Sequence, residues 1–363
     1  MKALELSGTR SFHYRDMPVP EFGPEEVLVK VEACGICGSD VHGIDGSTGR
    51  RIPPVVMGHE SAGRIAAAGS GVTAFAPGER VTFDSTIYCG KCYYCRRGEI
   101  NLCVNRRVLG VSCDEYRQNG AFAEYVAVPA RSVYRLPAEV STLQAAMVEP
   151  LSIAVHAAEI TPISIGDTAL VIGAGVIGLL LLQVLQRSGC STVYVADLDR
   201  DRLALAEELG AHGVFVPSEE NLPERVDGLT DGLGADVVFD AVGLPATFSD
   251  GFASTRKGGH FTVIGNFSPT AELPLQYLVN RQITLRGSCA SSGEYPACIE
   301  LIRRGAVDVE RLITRTAPLS EGAAWFERLY AGEKGLLKVI LLPDSEYSRT
   351  ANTANTTKEG AEQ

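Results

Sequence analysis

The sequence predicts an α/β protein with a β-rich unit followed by a doubly wound parallel sheet. Three observations predict it. Short alternating apolar and polar pieces with Gly/Pro punctuation fill the first part of the chain. A Gly-Ala-Gly-Val-Ile-Gly run joins a strand to a helix at 173–178. From there strand and helix patterns alternate as far as Gly287. Many short strands make an all-β unit, here read as partly closed. Strand–helix alternation makes a parallel sheet with helices on both faces. At 363 residues the chain also exceeds one ordinary core, which favours two domains.

The elements follow in order. Residues 2–6 and 27–31 alternate as strands around a turn-rich 18–24. Residues 63–69 and 77–81 repeat the style, and 120–128 reads as another strand. Residues 145–151 open an Ala-rich helix containing His156, which reads as simple packing. A buried-strand run at 168–172 precedes a helix to about Arg187, then a strand at 191–196. Helices at 199–209, 223–229 and 245–254 alternate with strands at 213–216, 235–240, 259–264 and 283–287. Beyond Ser288 the pattern is mixed: helices at 295–304 and 321–330, then a strand at 338–342. The Ser/Thr/Asn/Glu-rich 344–363 has no periodicity and is expected to be disordered.

Charge and cysteine use narrow the function. A net charge of −11 argues against nucleic acid or an acidic membrane surface as partner. The first residues have no continuous apolar core, so no secretory signal is expected. The longest apolar run, 176–185, is broken by Gly178 and Gln183 and is too short for a bilayer. Ten cysteines could pair, but four stand in a tight ladder. That favours metal binding in a reducing, cytoplasmic setting.

The ladder is Cys89, Cys92, Cys95 and Cys103, spaced C-x2-C-x2-C-x7-C. Four soft thiolates this close make a closed, structural zinc set, with an iron–sulfur cluster as the competing reading. Lys91, Arg96 and Arg97 flank it and would offset its negative charge. A second set is Cys37, His59 and Glu60, a thiolate, an imidazole and a carboxylate suited to a catalytic zinc with one open position. Either Cys37 or His59 alone reads as an ordinary packed residue; together with the ladder and the nucleotide motif they read as a metal site. Ser39 and His42 stand just after Cys37, where they could pass a proton outward. Glu149 sits among apolar residues and is costly to bury without a partner; a metal or its water is the expected one. Arg50 and Arg51 lie between the ligands and could meet an anionic substrate, although a solvated charge pair is the commoner case. Cys34, Cys113, Cys190, Cys289 and Cys298 read as buried thiols.

The 173–178 run is a dinucleotide fingerprint because a strand precedes it, a helix follows it, and Asp197 stands about 20 residues on. Gly173 allows the tight turn, Gly175 a close backbone approach to pyrophosphate, and Gly178 close helix–strand packing. Val176 and Ile177 open the helix, whose free N–H groups face the pyrophosphate. Asp197 should accept from the ribose hydroxyls and favour NAD; Arg200 and Arg202 could partly offset this.

Cys37-Gly38-Ser39-Asp40, Gly58-His59-Glu60, the four-cysteine ladder and Glu149-Pro150-Leu151 together resemble the zinc-dependent medium-chain dehydrogenase/reductase family. The likeness covers roughly residues 1–343 and is strongest to its sorbitol, butanediol and threonine dehydrogenase branch. It implies a GroES-like catalytic domain over 1–150, completed by 288–343, and a Rossmann domain over 151–287. It implies two zinc ions per chain and NAD. Cys37, His59 and Glu60 would hold the catalytic ion, with Glu149 holding its water or entering the shell. Hydride would pass from the carbinol carbon to nicotinamide C4. The proton would leave through Ser39, by way of the cofactor ribose, to His42. Glu149 and Gly38 stand where simple alcohol dehydrogenases carry a cysteine and often a basic residue, which moves the reading toward polyols. The oxygen-rich ligand set favours a vicinal diol. A homodimer or homotetramer is expected. The competing readings are a sugar-acid or sugar-phosphate dehydrogenase, and a non-catalytic nucleotide-binding relative.

Overall fold

The computed structural model describes residues 1–343, so the tail expected at 344–363 lies outside the described residues. The chain forms two compact units. One holds 1–149, 295–303 and 309–343; the other holds 150–294 and 304–308. The return to the first unit comes at Tyr295, later than the change of style at Ser288. Residues 304–308 go with the second unit for a polar reason. Gln183, buried in an otherwise apolar helix, accepts from the Asp308 N–H at 2.7 Å and donates to its carbonyl at 3.2 Å. A buried amide left unpaired would be costly.

In the first unit, Lys2–Gly8 pairs antiparallel with Ser11–Asp16 and with Val55–Val56. The larger sheet has seven strands. In order they are Val133–Arg135, Arg80–Phe83, Glu60–Ala68, Glu26–Gly35, Lys338–Leu342 and Ile313–Pro318, with Tyr125–Pro129 also on Glu26–Gly35. Main-chain bonds from Leu4 to Phe122 (2.8 Å) and from Glu124 to Lys2 (3.0 Å) stitch the two sheets together. The core between them gathers Leu4, Leu6, Met57, Ile65, Phe83, Phe122 and Phe326. The strand read at 120–128 begins only at Tyr125. Gly120, Ala121 and Phe122 instead donate to the carbonyls of Val56, Gly58 and Met57, which fixes the segment leading to His59. Several elements escape the sequence reading, two strands and a helix among them. Ser11–Asp16 and Leu275–Arg281 are largely exposed, and Ile313–Pro318 has little apolar alternation, so none carries a clear period.

In the second unit six parallel strands run in the order Gly213–Phe215, Thr192–Ala196, Thr168–Ile172, Ala235–Asp240, Thr255–Val263, Thr284–Gly287. This is the doubly wound dinucleotide order, with its switch point between Thr168–Ile172 and Ala235–Asp240. The central strands are apolar on both faces, as parallel sheets covered by helices require. Leu170, Tyr194, Phe215, Val238, Phe248, Phe252 and Phe261 fill one core cluster. Among the described residues no helix is long and apolar enough to cross a membrane.

Candidate functional site

Cys37 follows the strand Glu26–Gly35 and caps the short helix Gly38–Val41. His59 precedes Glu60, the first residue of Glu60–Ala68. Antiparallel register sets Gly35 opposite Glu60, so the sheet itself brings the two segments together. Gly58 makes the approach possible: its φ is +95°, and a Cβ there would lie 2.8 Å from both Cys34 Sγ and Phe122 N. The ligand atoms of Cys37, His59 and Glu60 all lie within 4.8 Å of one another.

The surroundings of these atoms suit a metal. Asp40 is fully buried, and its Oδ2 faces His59 Nδ1 at 3.5 Å. Neither atom has a hydrogen-bond partner among the described residues. A carboxylate behind an imidazole fixes the proton on Nδ1 and leaves Nε2 for an ion. Ser39 Oγ donates to Cys37 Sγ at 3.2 Å, so the expected proton acceptor sits against a ligand. His42 ends the short helix; burial lowers its pKa, with Asp45 pulling the other way. Arg51 departs from expectation. It is 4% exposed, and its Nε and Nη2 donate to Asp40 Oδ1 at 2.9 and 2.7 Å. It is neither a solvated charge nor offered to a substrate, whereas Arg50 is exposed.

Glu60 has a partner that the sequence reading missed. Lys338, 2% exposed, donates to both its carboxylate oxygens, at 2.7 Å to Oε1, and to the Ile36 carbonyl at 2.9 Å. It opens the final strand, which pairs with Glu26–Gly35, so register delivers the ammonium to the ligands. Burial opposes its charge, but Glu60 and then Cys37 prevail and raise its pKa. The available signal was a lone lysine at the head of the apolar Val-Ile-Leu-Leu. Glu149 lies in the first turn of Val148–Glu159, outside the three-ligand group. Burial pushes it up to about 8; His59 pulls it down, while Glu60 and Cys37 add to the rise. Burial and then Glu60 push Cys37 up to about 11. A divalent cation there would reverse both shifts.

The four ladder sulfurs also lie within 4.8 Å of one another. Cys92 caps the helix Tyr93–Arg96, and the turn Ile100–Leu102 returns the chain to Cys103. Cys103 Sγ accepts from the N–H groups of Cys89 (3.3 Å) and Asn105 (3.4 Å). The Lys91 N–H leads in pushing Cys89 down to about 6, and the Cys95 N–H leads in lowering Cys92. Burial and neighbouring sulfurs push Cys95 up to about 12. Four soft donors with no open position fit a structural zinc. Arg97 does not serve it as expected: it pairs with Glu99 at 3.1 Å and lies over the Tyr93 ring. Cys289 is exposed rather than buried. His156 does more than pack: its Nδ1 is 2.6 Å from Glu294 Oε1.

In the second unit the helix Val176–Arg187 starts at Gly175 with no side-chain cap. An uncapped helix start of this kind presents free N–H groups that suit an anion. A Cβ at Gly175 would meet nothing within 4 Å, whereas one at Gly178 would fall 1.7 Å from the Gly173 carbonyl. Gly178 thus lets the helix lie against the end of the strand, with Val171 Cγ1 3.4 Å from the same Cβ position. Asp197 ends the second strand and accepts from Ala174 N at 2.6 Å and Asp199 N at 2.9 Å. The two arginines beyond it are engaged, Arg200 with Glu219 and Arg202 with Asp199 at 3.7 Å.

Residues 23–138 match the alcohol dehydrogenase GroES-like domain, and 176–304 match the zinc-binding dehydrogenase domain. The chain is 34% identical to sorbitol dehydrogenase of Bacillus subtilis, over 95% of this chain and 98% of that relative. It is 35% identical to D-arabitol-phosphate dehydrogenase of Enterococcus avium, over 94% and 97%. The solved alcohol dehydrogenase of Thermus sp. ATN1 superposes with a TM-score of 0.89 at 32% identity, covering 94% of this chain and 99% of that one.

Proposed function

The chain belongs to the zinc-dependent medium-chain dehydrogenase/reductase family, in its polyol dehydrogenase branch, and on that premise we propose that it oxidises a polyol bearing vicinal hydroxyls, with NAD as hydride acceptor. The observation that carries this reading is the convergence of Cys37, His59 and Glu60, backed by Asp40 and Lys338. When bound, zinc supplies the Lewis acidity that makes a hydroxyl acidic at neutral pH, and the nicotinamide supplies the hydride acceptor. Cys37, His59 and Glu60 would hold the catalytic ion, and the four-cysteine lobe a structural one. Ser39 would relay the hydroxyl proton, accepting it as it turns its own away from Cys37 and toward His42, which passes it outward. Glu149, desolvated beside the ligands, offers its carboxyl to the second hydroxyl and so fixes the carbinol carbon. Gly173, Gly175, Val176, Ile177 and Gly178 receive the pyrophosphate, and Asp197 the ribose. With Arg200 and Arg202 held by acids, little positive charge is left for a 2′-phosphate, which supports NAD over NADP. Reduced thiolate ligands of this kind support a cytoplasmic setting. It acts as a homodimer or homotetramer; the open edge strand Thr284–Gly287 and the exposed Leu275 and Val279 support self-association.

A panel of polyols, hexonates, sugar phosphates and simple secondary alcohols, followed as NADH absorbance, tests this reading. A vicinal diol should exceed its analogue lacking the neighbouring hydroxyl by about a hundredfold in kcat/KM, because loss of one anchor misplaces the reacting carbon. Equal values would return the reading to a general secondary-alcohol dehydrogenase. Preference for a phosphate or hexonate would favour the alternative reading, in which the exposed Arg50 meets the anion. Higher kcat/KM with NADP than with NAD would overturn the cofactor assignment.

A further inference from the structure

We propose that Arg51 is a positioning residue that sets the orientation of two metal ligands at once; this rests on the metal reading above. Arg51 Nε and Nη2 both bind Asp40 Oδ1, at 2.9 and 2.7 Å. That leaves Asp40 Oδ2 to face His59 Nδ1 at 3.5 Å. Nη2 also donates to Ser39 Oγ at 3.3 Å. Accepting that bond leaves the Ser39 proton to point at Cys37 Sγ, 3.2 Å away. One guanidinium therefore stands behind the imidazole through a carboxylate and behind the thiolate through a hydroxyl. Nη1 ties the fork to its own loop through the Arg50 carbonyl at 2.9 Å. Gly43 leaves room for the side chain, since a Cβ there would fall 2.4 Å from Arg51 Cγ.

A buried ion pair is weak evidence for stability, because desolvation offsets its Coulomb gain. The arrangement needs another reason, and the reason is geometric. Asp40 could rotate about its own side-chain torsions, and only a planar fork with several fixed donors holds one oxygen while presenting the other. A lysine carries a single point charge and cannot hold both Asp40 and Ser39 in fixed directions.

The test compares wild type with Arg51→Met, Arg51→Lys, Asp40→Asn and the Arg51→Met/Asp40→Asn double variant. Zinc per chain, zinc affinity by competition with a chromophoric chelator, the cobalt(II) visible spectrum and the melting temperature are measured on each. Arg51→Met should weaken the second-held zinc by roughly 10–100-fold, as loss of a partner behind a ligand does. It should also shift the cobalt bands while the four-cysteine ion stays bound. Arg51→Lys should recover little of the loss, and it serves as the test should the methionine variant not fold. In the Asp40→Asn background Arg51→Met should add less than half its single effect on a logarithmic scale. Wild-type zinc affinity and cobalt spectrum in both Arg51 variants would overturn the proposal, as would fully independent effects of the two substitutions. Wild-type protein that keeps only the four-cysteine ion would overturn the metal reading itself.

Discussion

Cys89, Cys92, Cys95 and Cys103 meet within one short loop, whereas Cys37, His59 and Glu60 meet only through the register of a sheet that also needs Lys338 from the far end of the chain. In the loop, backbone N–H groups point at the sulfurs and pull Cys89 down to about 6. In the sheet, burial pushes Cys37 up to about 11. Local backbone donors thus favour the Cys89 and Cys92 thiolates, while burial and neighbouring sulfurs hold Cys95 up to about 12. The sheet-borne set holds its ligands protonated or countercharged until an ion arrives. Anions gathered in a dry place need compensation, which Lys338 gives to Glu60 and Arg51 gives to Asp40.

Exchanging the damage between the two sets breaks the comparison most sharply. Cys37→Ser or His59→Ala should lower kcat/KM by on the order of a thousandfold or more, since Lewis acidity supplies several kcal/mol of the barrier reduction. Both variants should stay folded and keep one zinc per chain. Cys92→Ser should do the reverse, lowering the melting temperature by roughly 5–10 °C, at about 2–4 °C per kcal/mol for a unit of this size. Unfolding of both Cys37→Ser and His59→Ala would mean that the two roles are reversed.

Lys338→Met sharpens the comparison further. Removing one partner of a buried pair typically costs about 3–5 kcal/mol, because the other charge is stranded. The cost should be greatest once the weaker-held ion is stripped by a mild chelator, and smaller in loaded protein, where the ion takes over as counter-charge to Glu60. Thermal unfolding with and without the chelator reads the difference. An equal loss in both states would show that Glu60 does not face the ion.

What could be read from the sequence divides along the same line. Local chemistry was legible: the spacing of the four cysteines, the glycine turn at 173–178, and the apolar strands Thr168–Ile172 and Ala235–Asp240. Relations carried by sheet register were not. Lys338 reads only as the start of a strand, and Arg51 as a solvated charge, until strand pairing and the turn at Gly43 bring each beside its acid. The exposed Ser11–Asp16 and Leu275–Arg281 lack the apolar stripe that periodicity reads. Glu149 lay between the two cases. Its apolar surroundings flagged it, but its place outside the three-ligand group comes only from the fold.

The smallest expected effect is a slope against pH. An ion needs Cys37 as a thiolate, and the thiol is pushed up to about 11. Near neutral pH each binding event therefore releases its proton, and zinc affinity should rise about tenfold per pH unit from this group alone. Glu149 is pushed up to about 8, so an ion that ionises it releases a second proton below that pH. The slope should then approach about a hundredfold per unit between pH 7 and 8 and relax toward tenfold above 8. Glu149→Gln removes only the second contribution. The same shift sets a stability trend in ion-free protein. Its folded value lies above the ordinary 4.5, so its contribution is full below that pH and is lost as pH rises through about 8. Ion-free wild type should therefore melt lower at pH 8 than at pH 5, and Glu149→Gln should lessen that drop. Calorimetric titration in two buffers of different ionisation enthalpy counts the protons. The same slope in wild type and Glu149→Gln would show that Glu149 keeps its proton beside the ion, and would leave it as a hydrogen-bond donor to the substrate rather than a ligand.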